Sequence, residues 1–304
     1  MTTSLTAADA QRREFWRELC PEMSIEGGAL PVPAAVGDSA PLIVDLKREG
    51  YVQVPDAIPA ELTGPISETV AMFFRLGIPL PFAFVYDELW LAFQSLSTFL
   101  GAAMGRDYRA LPDFWVWHVN PNENAAGWGP HRDRCVPTLD PDNSPHTLTV
   151  WLPFTDATPL NGCMYVLPAH RDDRFVERRW DGEGNNTVHN PQDIRALPAT
   201  AGSMLAWNQA VLHWGSRGSR LGTGPRISAA FEFQRADRPA FNSPLLDPHR
   251  IPSFSERLGL IGKQVLQYRH MYPLPDDVAA IATTLFEQFM PGAMVTERLS
   301  TASV

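Results

Sequence analysis

Between Phe114 and Phe233 the chain is written in short apolar or alternating runs, FWVWHV, TLTVWLPF, CMYVLP, SMLAWN and RISAAFEF, separated by clusters of Gly, Pro, Asn and Asp. Runs this short, closed by turn-forming residues, cannot make long helices and read as strands of a sandwich, jelly roll or barrel. The 28 prolines among 304 residues point the same way, because proline breaks helices and interior strands. The expected fold is therefore mainly β, built of short elements joined by many turns.

Helical patterning is confined to the two flanks. Thr6 to Leu19 places Phe15, Trp16 and Leu19 at helical spacing behind a capping threonine. Leu42 to Lys47 has helical character, Gly50 to Pro55 reads as one early strand, and a helix is expected from Pro59 to Leu76. After Pro252, SERLGLIGKQVLQYRHM and DDVAAIATTLFEQFM return to helical period. With no internal repeat, the expected organisation is a single domain over 1–304: a mostly helical flank (1–110), a β core (111–235) and a C-terminal helical segment (236–304).

Charge and cysteine usage exclude several classes of partner. With 25 basic and 34 acidic residues the net charge is −9, so no broad positive field attracts nucleic acid or anionic lipid. Cys20, Cys135 and Cys163 are odd in number and lack a C-x-x-C spacing, which suggests neither a disulfide framework nor a zinc ribbon and fits a reducing, cytoplasmic setting. The first twenty residues hold no apolar run of signal-peptide type, and the most apolar stretch, Ala71 to Tyr86, is broken by Arg75, Pro79 and Pro81, so neither export nor membrane insertion is expected.

His131-Arg132-Asp133 carries the first chemical signal. In extended chain, residues i and i+2 face the same side, so one imidazole and one carboxylate could address one metal. Alone the motif is weak, and a second copy exists at His170-Arg171-Asp172. That copy sits among Asp173 and Arg174 after Pro168, where a solvated loop is the better reading. A facial site needs a second histidine from a distant strand. His213 is far enough from His131 to leave room for the intervening strands of a barrel. Two histidines and one carboxylate leave three positions of an octahedral metal open, which suits ferrous iron that must bind a cosubstrate and dioxygen, whereas zinc is more often closed by further ligands. On the last strand, alternation puts Arg226, Ser228, Ala230 and Glu232 on one face. A guanidinium fork with a neighbouring hydroxyl can hold a carboxylate, as the distal end of 2-oxoglutarate requires.

These segments resemble the phytanoyl-CoA dioxygenase-like branch of Fe(II)/2-oxoglutarate-dependent oxygenases. The resemblance runs over roughly residues 41 to 235 and rests on LKREGYVQVPDAIP, the HRD motif, TVWLPFTDATPLNGCMYVLPAHR, GSMLAWNQAVLHWGS and PRISAAFEFQ. The chain departs from the family pattern at Pro168-Ala169-His170, where relatives usually have Pro-Gly-Ser-His. The resemblance implies a double-stranded β-helix (jelly roll, cupin-like) core with flanking helices, metal ligands His131, Asp133 and His213, and Fe(II) with 2-oxoglutarate and O2 as cosubstrates. It further implies that Trp128, Thr149 and Trp151 line the 2-oxoglutarate pocket beside Arg226 and Ser228, and that succinate and CO2 are coproducts.

His118, which alternates with Phe114 and Val116, and the tryptophans Trp117 and Trp214 are the candidate substrate contacts. Substrate identity does not follow from the sequence. The expected reaction is oxidation, above all hydroxylation, of a C–H bond in a small metabolite or natural-product intermediate. The segments Pro121 to Pro130 and Asp172 to Pro191 are candidate lids. Two other classes stay open: a cupin-like metalloenzyme that uses no 2-oxoglutarate, with Arg226 structural, and a non-catalytic β-sandwich binding module.

Overall fold

The structure is a computed structural model describing residues 5–27, 36–123, 127–134, 136–178, 190–271 and 274–295. Among the described residues, eight strands form two antiparallel sheets. The larger contains β1 (Tyr51–Val54), β2 (Arg109–Val119), β3 (Thr147–Pro153), β6 (Met204–Asn208) and β8 (Arg226–Gln234), in the order β1-β6-β3-β8-β2. The smaller contains β4 (Met164–Val166), β5 (Arg195–Leu197) and β7 (His213–Gly215), in the order β5-β4-β7. Two antiparallel sheets covered by helices make the expected double-stranded β-helix core.

The helices are α1 (Ala7–Ala10), α2 (Arg13–Leu19), α3 (Ala40–Glu49), α4 (Ala60–Leu76), α5 (Asp87–Gln94), α6 (Ser97–Met104), α7 (Asp173–Val176), α8 (Phe254–Gln267) and α9 (Asp276–Phe289). The single amphipathic helix expected over Thr6 to Leu19 is instead two. Thr6 caps α1 by accepting from the Asp9 N–H, and Arg12, in extended backbone, separates α1 from α2. Gly50, at φ +81, turns α3 into β1, and a Cβ there would collide with Val211. None of the described helices is long and apolar enough to cross a membrane.

The larger sheet is buried on both faces, and every residue of β3 and β8 is buried. One face packs Phe114, Val116, Val150, Ile227, Phe231 and Phe233 against helical residues including Phe84, Trp90 and Phe93. The opposite face packs Trp151, Leu205, Trp207 and Ala230 against Met164, Val166 and Leu197 of the smaller sheet. The period-2 alternation of β8 thus divides a wholly apolar core face from the face carrying Arg226, Ser228 and Glu232.

Where β2 pairs with β8, the register shifts between Ala110 and Phe114. This bulge frees backbone groups, which the side chain of Gln264 on α8 satisfies by accepting from Phe114 N at 3.0 Å and donating to Pro112 O. Helix α8 is fastened elsewhere by a buried ion pair: Arg257 Nη2 lies 2.5 Å from Asp87 Oδ1 on α5, both side chains fully buried. Asp87 also accepts from Ser24 Oγ and Gly27 N, so one carboxylate ties the N-terminal segment to both helices. Cys20 and Cys163 are buried free thiols, and Cys135 lies outside the described residues.

Removing Asp87 strands the Arg257 charge in the core, so Asp87→Ala is expected to cost about 3–5 kcal/mol in denaturant unfolding. Ser253→Ala, which removes only the N-cap of α8, is expected to cost about 1 kcal/mol. At that cap, hydrogen bonding to Arg250, against opposing burial, holds the Glu256 carboxyl down at about 2. A lowered folded-state value stabilises the fold above the ordinary carboxyl range and is lost as pH falls through the lowered value. Glu256→Gln should therefore lower the melting temperature at neutral pH, with the gap to wild type closing between the ordinary value of 4.5 and about 2.

Candidate functional site

His131 and Asp133 lie on the loop before β3, and His213 opens β7. Their meeting is imposed by the backbone: His131 and His213 exchange both main-chain hydrogen bonds, each 3.0 Å, and Gly215 N donates to Trp128 O. The loop thereby joins the smaller sheet at the edge beyond β7. One ligand-type atom from each of His131, Asp133 and His213 lies within 4.8 Å of the others.

Each side chain is oriented by a hydrogen bond on its far side. His131 Nδ1 faces Gly129 O at 2.7 Å and His213 Nδ1 faces Val211 O at 3.1 Å. In the neutral ring, the nitrogen facing a carbonyl carries the proton, which leaves both Nε2 lone pairs directed inward. These Nε2 atoms stand 3.4 and 3.5 Å from Asp133 Oδ1. The other carboxylate oxygen, Oδ2, accepts from Thr149 Oγ1 at 2.6 Å and from Trp207 Nε1 at 2.9 Å. Burial pushes the His213 imidazole down to about 4 and so keeps it neutral. Burial raises Asp133, and the hydrogen bond that Oδ2 accepts from Thr149 opposes it by favouring the ionised carboxylate.

A buried His131 Nε2 with no hydrogen-bond partner among the described residues, next to a second imidazole nitrogen and an ionised carboxylate oxygen, fits a divalent transition metal. The pocket around the cluster encloses about 540 Å³, mouth included, and is lined by Trp117, Trp128, Thr149, Trp151 and Arg226 among others.

Arg226 is buried in the lining of the same pocket. Its Nη1 donates to Ser228 Oγ at 3.1 Å and its guanidinium carbon lies 5.5 Å from the centre of the Trp151 ring. Two glycines make room for it. A Cβ on Gly127 would meet Gly215 Cα at 2.8 Å and Arg226 Nη2 at 3.2 Å, and one on Gly215 would meet Gly127 Cα at 2.9 Å. The chain therefore passes over the guanidinium only because both positions lack a side chain.

Two expected substrate contacts are corrected. His118 stacks on Phe74 of α4 at 3.9 Å and points away from the pocket. It shares the face of Phe114 and Val116, and the pocket face of β2 is that of Trp115 and Trp117. Trp214 stacks on Tyr165 at 5.7 Å, opposite in alternation to His213, and does not line the pocket. Thr149 lines the pocket, and its hydroxyl is committed to Asp133. In the second HRD motif, His170 is exposed beside Glu49, but Asp172 is buried rather than solvated. It pairs with Arg132 of the first motif at 2.7 Å and caps α7.

The sequence reading missed the role of Trp207, the glycine pair, and the pocket residues Asp113 and Tyr268, whereas Glu232 lines the pocket on the face where alternation put it with Arg226. The alternation of SMLAWN already puts Leu205 and Trp207 on one face. Asp113 sits in the β2 bulge and Tyr268 follows α8, positions that periodicity does not reach. Both candidate lids fall partly outside the described residues, at 124–126 and 179–189.

Fold and site together define a double-stranded β-helix protein with a two-histidine, one-carboxylate cluster. The family profile "Phytanoyl-CoA dioxygenase (PhyH)" matches residues 88–220, a span that holds both histidines and Asp133 and stops short of Arg226, in keeping with the resemblance read from the sequence. A curated phytanoyl-CoA dioxygenase of Arabidopsis thaliana is 24% identical over 134 residues, 42% of this chain and 46% of the relative, so the match spans about half of that relative's length. Among solved structures, the non-heme monooxygenase ThoJ in its apo form is similar at TM-score 0.55 and 13% identity, covering 80% of this chain and 99% of that one. The non-heme alpha ketoglutarate dependent carbocyclase SnoK from nogalamycin biosynthesis is similar at TM-score 0.51 and 15% identity, covering 72% and 100%.

If the cluster is a metal site, titrating Co(II) into metal-free protein should give one visible-absorbing complex per chain. His131→Ala and Asp133→Ala should abolish it, while His170→Ala, which changes only the second motif, should leave it intact.

Proposed function

We propose that this chain is a non-haem Fe(II)- and 2-oxoglutarate-dependent oxygenase that oxidises, above all hydroxylates, a C–H bond of a small molecule. The observation that carries the reading is one pocket lined both by three clustered metal-ligand-type side chains and by a buried guanidinium that is hydrogen-bonded to Ser228. His131 Nε2, His213 Nε2 and Asp133 Oδ1 would hold the iron. When bound, the iron with 2-oxoglutarate and O2 supplies the oxidising chemistry, with succinate and CO2 as coproducts.

The chain's own contribution is binding and exclusion. Arg226 and Ser228 would take the distal carboxylate of 2-oxoglutarate through charge-assisted hydrogen bonds. Trp151, stacked on that guanidinium, would shield the contact from water, which strengthens it. Trp117 and Trp128, packed edge to face at 5.3 Å, would form an apolar wall for the substrate. The names of the similar proteins, a dioxygenase, a monooxygenase and a carbocyclase, suit oxidation with more than one outcome. Product mass separates them: hydroxylation adds one oxygen atom, and ring closure removes two hydrogens.

Succinate should form from 2-oxoglutarate only when Fe(II) is added, and fall to background in Asp133→Ala and His213→Ala. In Arg226→Ala the KM for 2-oxoglutarate should rise by roughly 10- to 100-fold, the worth of a charged hydrogen-bonded contact. Gly215→Ala, which forces the chain off Arg226, should raise that KM as well. Turnover indifferent to 2-oxoglutarate, or to Arg226→Ala, would favour a cupin-like enzyme that chelates its substrate directly.

A further inference from the structure

Behind Asp133, on the side away from the histidines, buried polar side chains are joined in one direction. Arg134 Nε donates to Gln209 Oε1 at 2.6 Å, Gln209 Nε2 donates to Thr149 Oγ1 at 3.1 Å, and Thr149 Oγ1 donates to Asp133 Oδ2 at 2.6 Å. Arg134 is anchored in turn by Glu232 Oε2 at 3.0 Å, and its own backbone N–H donates to Gln209 O at 3.2 Å. Gln209 is fully buried, and neither it nor Arg134 lines the pocket.

The donor inventory fixes every orientation in this row. A guanidinium has donors only, so the amide oxygen of Gln209 must face Arg134 and the amide nitrogen must face Thr149. That nitrogen also only donates. The Thr149 hydroxyl therefore accepts from Gln209 and directs its own proton at Asp133. With the Trp207 indole as second donor, Oδ2 is saturated and Oδ1 alone remains toward the two Nε2 atoms.

We infer that Gln209 and Arg134 are positioning residues for the metal carboxylate: through Thr149 they hold Asp133 as a single-atom ligand and so keep coordination positions open for the cosubstrates. The inference rests on the metal reading given above. It assigns a cause to the polarity of a fully buried Gln209, which apolar packing does not require.

The test is the Co(II) affinity of apo protein, with the melting temperature recorded for each variant. Gln209→Glu keeps an acceptor for Arg134 but introduces a second acceptor toward Thr149, turning the hydroxyl proton away from Asp133. The added negative charge by itself would tighten cation binding. The relay requires the opposite, a loss of roughly 10- to 100-fold with the melting temperature near wild type. Thr149→Val should lose affinity to the same extent, and Thr149→Ser, which keeps the hydroxyl, should restore it. Gln209→Glu binding Co(II) as tightly as wild type or more tightly, or Thr149→Ser binding as weakly as Thr149→Val, would overturn the relay. If Gln209→Glu does not fold, Arg134→Gln decides: loss of a positive charge would by itself tighten cation binding, so weaker Co(II) binding supports the relay, and unchanged or tighter binding overturns it. A wild-type protein that takes no Co(II) would overturn the metal reading itself, and the relay with it.

Discussion

The paired backbone hydrogen bonds between His131 and His213 are the constraint on which the site depends. They bring together two segments more than eighty residues apart, with β3 to β6 between them in sequence. Because the bond is main chain to main chain, it fixes where the imidazoles begin before any metal is present. Side-chain contacts then finish the geometry: carbonyls turn each Nε2 inward, and Thr149 with Trp207 turns Asp133. Arg132, pointing the other way between the two ligands, is locked to Asp172 and Ala210 O, which fastens the loop from behind.

The larger sheet divides the remaining work between its faces. Its helix-facing side is a layer of Phe, Val and Ile packed on α4 and α5 and the segment between them, and it belongs to the larger apolar core of the fold. Its inner side can therefore carry Arg226, Ser228, Thr149 and Glu232, groups that are costly to bury unless they are paired. Helix α8 serves both sides, closing the β2 bulge through Gln264 and ending at Tyr268 on the pocket wall. The bulge in β2 brings Asp113 into the pocket lining.

Much of this was legible in the sequence because period-2 alternation survives wherever a strand is long enough to show it. RISAAFEF separated its core and pocket faces correctly, and TLTVWLPF placed Thr149 and Trp151 together. The three-residue strands β5 and β7 are too short to carry a period, so His213 was found by chemistry and separation rather than by strand pattern. His118 was assigned to the pocket although its own alternation with Phe114 and Val116 already put it on the core face. Gln209 and Arg134 were not legible, since their meaning lies in hydrogen-bond direction across strands. The pairing of Arg132 with Asp172 was missed for a related reason, because charged residues in a polar loop read as solvated until a partner is seen.

The most direct test of the account is an anaerobic titration of Fe(II) into metal-free protein with and without 2-oxoglutarate, followed by visible absorption. The account predicts a charge-transfer band that needs both components, saturates at one iron per chain, and disappears in His213→Ala. A band absent from wild type, or undiminished in His213→Ala, would contradict it.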